Sequence, residues 1–119
     1  MEIKKLAPRE EQIMQALWEL KKAFVKDIIE WLPEPKPHYN SVSTMVRILQ
    51  DRGYIRHEAY GRTHQYYPIL QKDDYQAQVV DEVADKYFGN SFSQMVTYFA
   101  QQEKISKEEL ADILRKIDQ

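Results

Sequence analysis

The sequence predicts a mainly α-helical chain carrying one small β-hairpin, and three observations lead to that expectation. Apolar residues recur at helical spacing through three segments that end near Asp51. Two short runs rich in aromatic and β-branched residues follow, parted only by Gly61-Arg62. Helical spacing then returns after Pro68 and continues to the end of the chain. With 119 residues there is room for one compact domain and an accessory element.

The first helix is expected over Glu10 to Lys21, where Ile13, Met14, Leu17 and Trp18 form one stripe. Pro8 suits its opening position, where a missing N–H costs nothing, and Glu10 and Glu11 suit the dipole there. Phe24-Val25 reads as a short extended stretch. A second helix is expected from Lys26 to Leu32, where Pro33 stops it. The segment Pro33-Glu34-Pro35-Lys36-Pro37 reads as a stiff, extended connector.

A third helix begins near Tyr39, with Val42, Met45, Val46 and Leu49 as its buried stripe and Gly53 as a left-handed C-terminal cap. Strands are expected over Tyr54 to Tyr60 and Thr63 to Ile69. Glycine at the first position of a two-residue loop is what a type II′ hairpin turn requires, and Gly61 stands there. Three helices followed by a hairpin is the order of a winged helix-turn-helix, assigned here to residues 1–70.

Residues 71–119 return to helix. Val79, Val80, Val83, Ala84, Tyr87 and Phe88 make one stripe that closes at Gly89. Ser91 with Gln94 reads as a capping box opening a helix that holds Phe92, Met95, Val96 and Phe99. Ser106 with Glu109 is a second box, flanked by Ile105 and Leu110 as a hydrophobic staple, and Leu110, Ile113, Leu114 and Ile117 line the last helix. These short helices have too few residues to enclose a core alone. They are expected to pair with a second copy, two-fold pairing being the commonest assembly, through Val79, Val83, Phe92, Met95, Val96, Phe99, Leu110, Ile113, Leu114 and Ile117. Folding back on the first domain is the alternative.

The overall charge of −2 conceals a division along the chain. Residues 1–35 hold six basic against seven acidic side chains; residues 36–69 hold five against two; residues 70–119 hold six against ten. The middle block is thus basic, and it also contains His38, His57 and His64. Such asymmetry assigns a basic face to the helix-turn-helix and a different task to the acidic remainder.

In a helix-turn-helix the exposed face of the third helix enters the major groove. Here that face offers Asn40, Ser41, Ser43, Thr44 and Arg47: an amide suited to adenine, hydroxyls for base or phosphate, and an arginine for guanine or phosphate. A merely solvated face would mix Glu and Lys, which are better helix formers. Arg62, at the hairpin tip, is placed to reach a phosphate or a minor groove. Tyr54, Tyr60, Tyr66 and Tyr67 read as cross-strand packing rather than as base-stacking platforms.

Other chemistries find little footing. The chain has no cysteine, which removes disulfides, thiolate metal sites and a cysteine nucleophile and suits a reducing cytosol. Glycine-rich phosphate loops, G-x-S-x-G and H-E-x-x-H are all missing from the sequence. The three histidines read as exposed or phosphate-facing rather than as metal ligands, so no metal, cofactor or catalytic residue is expected. No apolar run approaches the roughly 20 residues that span a bilayer, and Met1 to Lys5 leads into a helix without an apolar leader segment. The expected compartment is cytoplasmic, without membrane insertion.

Several motifs occur in a specific order: Glu10-x-x-Ile13-Met14-x-x-Leu17-Trp18, Tyr39-Asn40-Ser41-Val42-Ser43-Thr44-Met45-Val46, Leu49-x-x-x-Gly53-Tyr54-Ile55, Gly61-Arg62-x-x-x-Tyr66-x-Pro68, Met95-Val96-x-x-Phe99 and Ile105-Ser106-x-x-Glu109-Leu110. In these, over nearly its whole length, the chain resembles the BlaI/MecI family of penicillinase-type repressors. The resemblance implies a homodimer, joined by its C-terminal helices, that binds a palindromic double-stranded operator and blocks polymerase. It also implies release through a membrane sensor-protease that signals cleavage in the C-terminal part, where Thr97-Tyr98-Phe99-Ala100 is the matching stretch. Two features depart from the family: Ala7 stands where it places a hydroxyl cap on the first helix, and the C-terminal cysteines of its copper-responsive branch are missing. Two rival expectations remain, a winged helix that binds protein rather than DNA and a ligand-responsive regulator. The basic middle block disfavours the first, and the stripe-like C-terminal helices leave no obvious room for a drug-sized pocket.

Overall fold

The computed structural model describes residues 3–119. Met1 and Glu2, and with them the start of the Met1–Lys5 stretch read above for a leader, lie outside the described residues. The elements run α1 (Pro8–Leu20), α2 (Val25–Trp31), α3 (Tyr39–Asp51), β1 (Ile55–Tyr60), β2 (Thr63–Pro68), α4 (Lys72–Tyr87), α5 (Phe92–Gln101) and α6 (Lys107–Ile117). The first five make a winged helix-turn-helix, and the chain is mainly helical with one antiparallel hairpin, as the periodicity predicts.

The chain divides into two compact units, Met1–Gln78 and Val79–Gln119. The first turns of α4 pack within the first unit. There Tyr75 is buried and its hydroxyl accepts the Leu6 N–H at 3.0 Å, while Gln78 Nε2 donates to Ile3 O.

The core of the first unit is the apolar stripe of each helix brought to one centre. Ile13, Met14 and Leu17 of α1, Ile28 and Leu32 around α2, and Val42, Val46 and Leu49 of α3 are all buried, with Tyr54 and Ile55 beneath the hairpin. Each such side chain contributes about 1.5–3 kcal/mol relative to exposure. Met45, the fourth member of the α3 stripe, is partly buried against the same cluster. Trp18 lies at its edge, where Nε1 donates to Leu70 O at 2.8 Å.

Local chemistry sets the element ends. Pro8 is the first residue of α1, but Ala7 at its N-cap has no side chain to offer. Glu10 compensates from the other direction, its carboxylate accepting the Ala7 N–H at 2.9 Å. Gly53 follows α3 at a φ of +83°, the left-handed cap that its sequence position requires. At the hairpin, Tyr60 pairs with Thr63 and Gly61 has a φ of +61°, as a type II′ turn demands. Tyr54 closes the base: its carbonyl accepts both Ile69 N–H and Leu70 N–H.

Two local expectations are corrected. Of the expected extended pair Phe24-Val25, Phe24 is extended, with φ −79° and ψ 161°, and continues Ala23, which forms an isolated bridge with Tyr66 on β2; Val25 instead opens α2 and buries its side chain. The apolar core claims Val25, so the chain turns into helix two residues after Ala23 has met the sheet. The proline segment is bent at Glu34 and Pro35 rather than extended, and Lys36 Nζ donates back to Glu30 O at 2.8 Å and to Leu32 O. Those carbonyls at the end of α2 lack helical partners, and a nearby ammonium is their natural donor.

The second unit holds the remainder of α4 with α5 and α6. Gly89 and Asn90 both take positive φ after α4, and Asn90 N–H bonds back to Ala84 O. Ser91 accepts from Gln94 N–H, one half of the expected box, and Ser106 with Glu109 makes both halves of the other. Phe88 and Tyr98 meet at 5.5 Å between ring centroids. Ala84 is the one fully buried apolar residue among Val79–Gln119. Among the described residues no helix is long and apolar enough to cross a membrane.

Candidate nucleic-acid interface

A groove of about 470 Å³ opens between α3, the start of α2 and the hairpin. It is lined by Phe24, Val25 and Lys26, by Tyr39, Ser43 and Arg47 of α3, and by Arg62, Thr63, His64 and Tyr66 of the wing. No carboxylate is among these residues, whereas two arginines, a lysine and a histidine are. Burial pushes the Tyr66 phenol above its ordinary value, and the charge of Arg47 opposes that shift.

The six residues expected to face DNA fall into three positions. Ser43, Arg47 and Arg62 meet in the groove. Asn40 and Thr44 are exposed and, at 100° per residue, lie with Arg47 along the crest of α3 opposite its buried stripe. Ser41 is exposed on the far flank, about 160° from Ser43 by the same geometry. Two donors on this face bond their own helix: Thr44 Oγ1 donates to Asn40 O at 2.9 Å, and Arg47 Nε to Ser43 O at 3.4 Å.

Two groove residues escaped the sequence reading. Tyr39 is 56% exposed at the first position of α3, and Lys26 stands in the first turn of α2. Lys26 reaches the groove because Ala23 pairs with Tyr66, which draws the start of α2 against the wing, and Tyr39 enters it from the head of α3. The sequence held one signal for Tyr39, an aromatic at the head of a helix and outside its apolar stripe. Nothing marked Lys26 among the other lysines.

The tyrosines divide by strand face. Tyr54 and Tyr66 are buried, Tyr60 sets its ring edge-on to Phe24 at 6.0 Å, and Tyr67 lies under Lys22 Nζ at 5.8 Å. Packing accounts for all four. On the outer face Glu58 accepts from Tyr60 Oη at 3.0 Å and from Lys22 at 3.3 Å; these bonds hold its carboxyl below the usual range, the Tyr60 bond foremost.

In the second unit the residues expected to pair two copies remain uncovered. Phe92 (48%), Val96 (43%), Ile113 (44%), Leu114 (62%) and Ile117 (71%) are exposed. Val79 is also exposed, and Val83, Met95, Phe99 and Leu110 are half-buried. No residue of α5 or α6 is buried. The stretch Thr97-Tyr98-Phe99-Ala100 lies inside α5, with Thr97 and Tyr98 exposed and Phe99 and Ala100 half-buried.

Residues 6–119 match the family described as "Penicillinase repressor". The methicillin resistance regulatory protein MecI of Staphylococcus aureus (strain N315) is 25% identical over 115 residues, covering 93% of this chain and 94% of its own length. The penicillinase repressor of Bacillus licheniformis is 20% identical over 118 residues, covering 98% and 92%. A solved structure described as "CopR Repressor Structure" aligns with a TM-score of 0.47 at 22% identity, over 60% of this chain and 100% of that one.

Proposed function

This chain belongs to the penicillinase repressor family of transcriptional repressors, and from that premise we propose that it binds a palindromic duplex operator as a homodimer. The carrying observation is the carboxylate-free groove that gathers Arg47, Arg62, Lys26 and His64 beside the polar crest of α3. In this reading α3 enters the major groove. Asn40, Ser43, Thr44 and Arg47 face base edges, Ser41 faces the flanking backbone, and Arg62 anchors the wing on phosphate.

The dimer is supported by the uncovered stripes of α5 and α6. Contiguous exposed apolar surface on a small chain marks an association site, and a two-fold pair of these helices would bury Ile113, Leu114 and Ile117 together. Two copies then present two recognition helices to two half-sites, which is the reason for a palindrome. Residues 1–70 serve in this reading as the DNA-binding domain and residues 71–119 as the pairing domain, in a cytoplasmic protein that performs no catalysis.

Release by proteolysis, following a membrane sensor-protease, is part of the same reading. A protease needs its substrate extended, so cleavage at Thr97-Tyr98-Phe99-Ala100 requires α5 to open. A helix with no fully buried side chain opens at low cost. An operator-bound sample that stays intact by mass spectrometry after incubation with the activated sensor overturns this step.

In vitro selection of bound duplexes tests the main proposal, since it returns the site and its half-site spacing together. Selected sequences with two related half-sites are the expected result. Failure to enrich any sequence, with no binding to random duplex at low salt, would reassign the fold to protein interaction.

A further inference from the structure

His64 lines the groove, and its ring stacks on that of His57 with centroids 4.0 Å apart and planes 8° apart. His57 Nδ1 lies 2.6 Å from Gln50 Oε1, on the last turn of α3. Tyr66 backs both rings, at 5.6 Å and 6.1 Å between centroids. A continuous path of side chains therefore runs from α3 to the wing. Packing alone does not require three polar groups in this order.

We propose that His64 contacts the DNA backbone and takes up a proton on binding, its ring held by Gln50 and His57 as positioning residues. The inference rests on the DNA-binding reading above. Because Gln50 Oε1 can only accept, His57 Nδ1 carries the hydrogen, and one edge of the His57 ring is anchored to α3. The stack then holds His64 by its face, which leaves the ring nitrogens of this groove-lining residue outside the stack. A neutral imidazole face supports a cationic ring laid over it, but two charged rings at this distance repel. The pair is therefore built to carry one positive charge.

The groups that face His64 fix the sign of the linkage. They are Lys26 from α2, Tyr39 and Arg47 from α3, and Arg62, Tyr66 and His57 from the wing. In the free protein another positive charge meets three cations and no carboxylate in the groove. A phosphate reverses that balance, and a protonated His64 then gains an ion pair the free protein does not offer. Histidine is the side chain whose charge changes in the physiological range, which sets the pH span to be scanned. Proton uptake on binding makes affinity rise as pH falls, by at most about tenfold per pH unit for each proton taken up.

The test measures binding of the full chain to a random-sequence duplex at low salt by fluorescence anisotropy, between about pH 8 and about pH 6. Wild type is expected to tighten about three- to tenfold per bound site across that range. His64→Gln, and as a second neutral amide His64→Asn, are expected to give flat profiles. Gln50→Glu sets a carboxylate against His57 Nδ1 and draws the single charge onto His57. It should flatten the profile with His64 in place. A pH-independent wild type, a His64→Gln profile parallel to wild type, or an unaltered profile in Gln50→Glu each overturns the proposal while leaving DNA binding intact. No binding at any pH overturns the DNA-binding reading itself, and this inference with it.

Discussion

Arg52 Nη1 lies 3.1 Å from Glu10 Oε2, an ion pair that joins the end of α3 to the first turn of α1. Glu10 is buried, and its other oxygen accepts the Ala7 N–H that opens α1. One carboxylate therefore both caps α1 and ties it to the end of α3. Glu10→Ala is expected to lower stability by about 1–3 kcal/mol, losing a cap bond and an ion pair together. Arg52→Ala should cost less, about 1 kcal/mol or under, because its side chain is 40% exposed and solvent screens the pair. Urea denaturation of both variants checks the order, and a larger loss in Arg52→Ala would reverse the assignment.

Ala7 has the extended backbone of an N-cap, with φ −66° and ψ 156°, yet makes no side-chain cap bond. A hydroxyl there would reach the Glu10 N–H without moving the chain. Ala7→Ser is expected to stabilise the fold by about 0.5–2 kcal/mol. The check is an upward shift in the thermal midpoint.

Tyr75 joins α4 to the N-terminal segment by accepting the buried Leu6 N–H. Tyr75→Phe keeps the ring against Trp18, 6.1 Å away, and strands that donor. A loss of about 1–3 kcal/mol is expected. Amide hydrogen exchange at Leu6 should quicken beyond the change in global stability.

The two groove arginines should separate by behaviour on DNA. Arg47→Ala is expected to lower binding to a selected operator by about 1–3 kcal/mol and to relax preference at one base pair. Arg62→Ala should weaken binding to every sequence and reduce the slope of log affinity against log salt by about 1. Equal losses on all duplexes for Arg47→Ala would move it to the phosphate class, and an unchanged salt slope would remove Arg62 from the backbone.

Leu114 and Ile117 stand largely exposed on α6. Leu114→Glu combined with Ile117→Glu places two charges on the surface assigned to pairing, and burying an unpaired carboxylate there costs several kcal/mol. On the dimer proposed above, sedimentation should show wild type as a dimer and the variant as a monomer, with the helical circular dichroism preserved. A variant that stays dimeric would place the contact elsewhere.

The order of elements was legible because each rests on local chemistry. Val42, Val46 and Leu49 are spaced to share one helix face, Gly53 and Gly61 take the left-handed conformations their turns need, and Ser106 with Glu109 closes a box within one turn of helix. None of these depends on residues far away in the chain. Arg47 and Arg62 were readable as candidates for a related reason: position on a helix face and position at a hairpin tip are local properties.

What the sequence by itself determined, then, was the winged helix, its core stripes and the polar face of α3, through periodicities and turn requirements that act over a few residues. Only the tertiary structure decided which of those polar residues meet. The bridge of Ala23 to Tyr66 brings Lys26 into one groove with Arg62, where Tyr39 of α3 also lies. The pairing of β1 with β2 lays His64 on His57, and Gln50 reaches across from α3. Those neighbours are separated by up to several tens of residues, and their proximity follows from how the buried stripes pack.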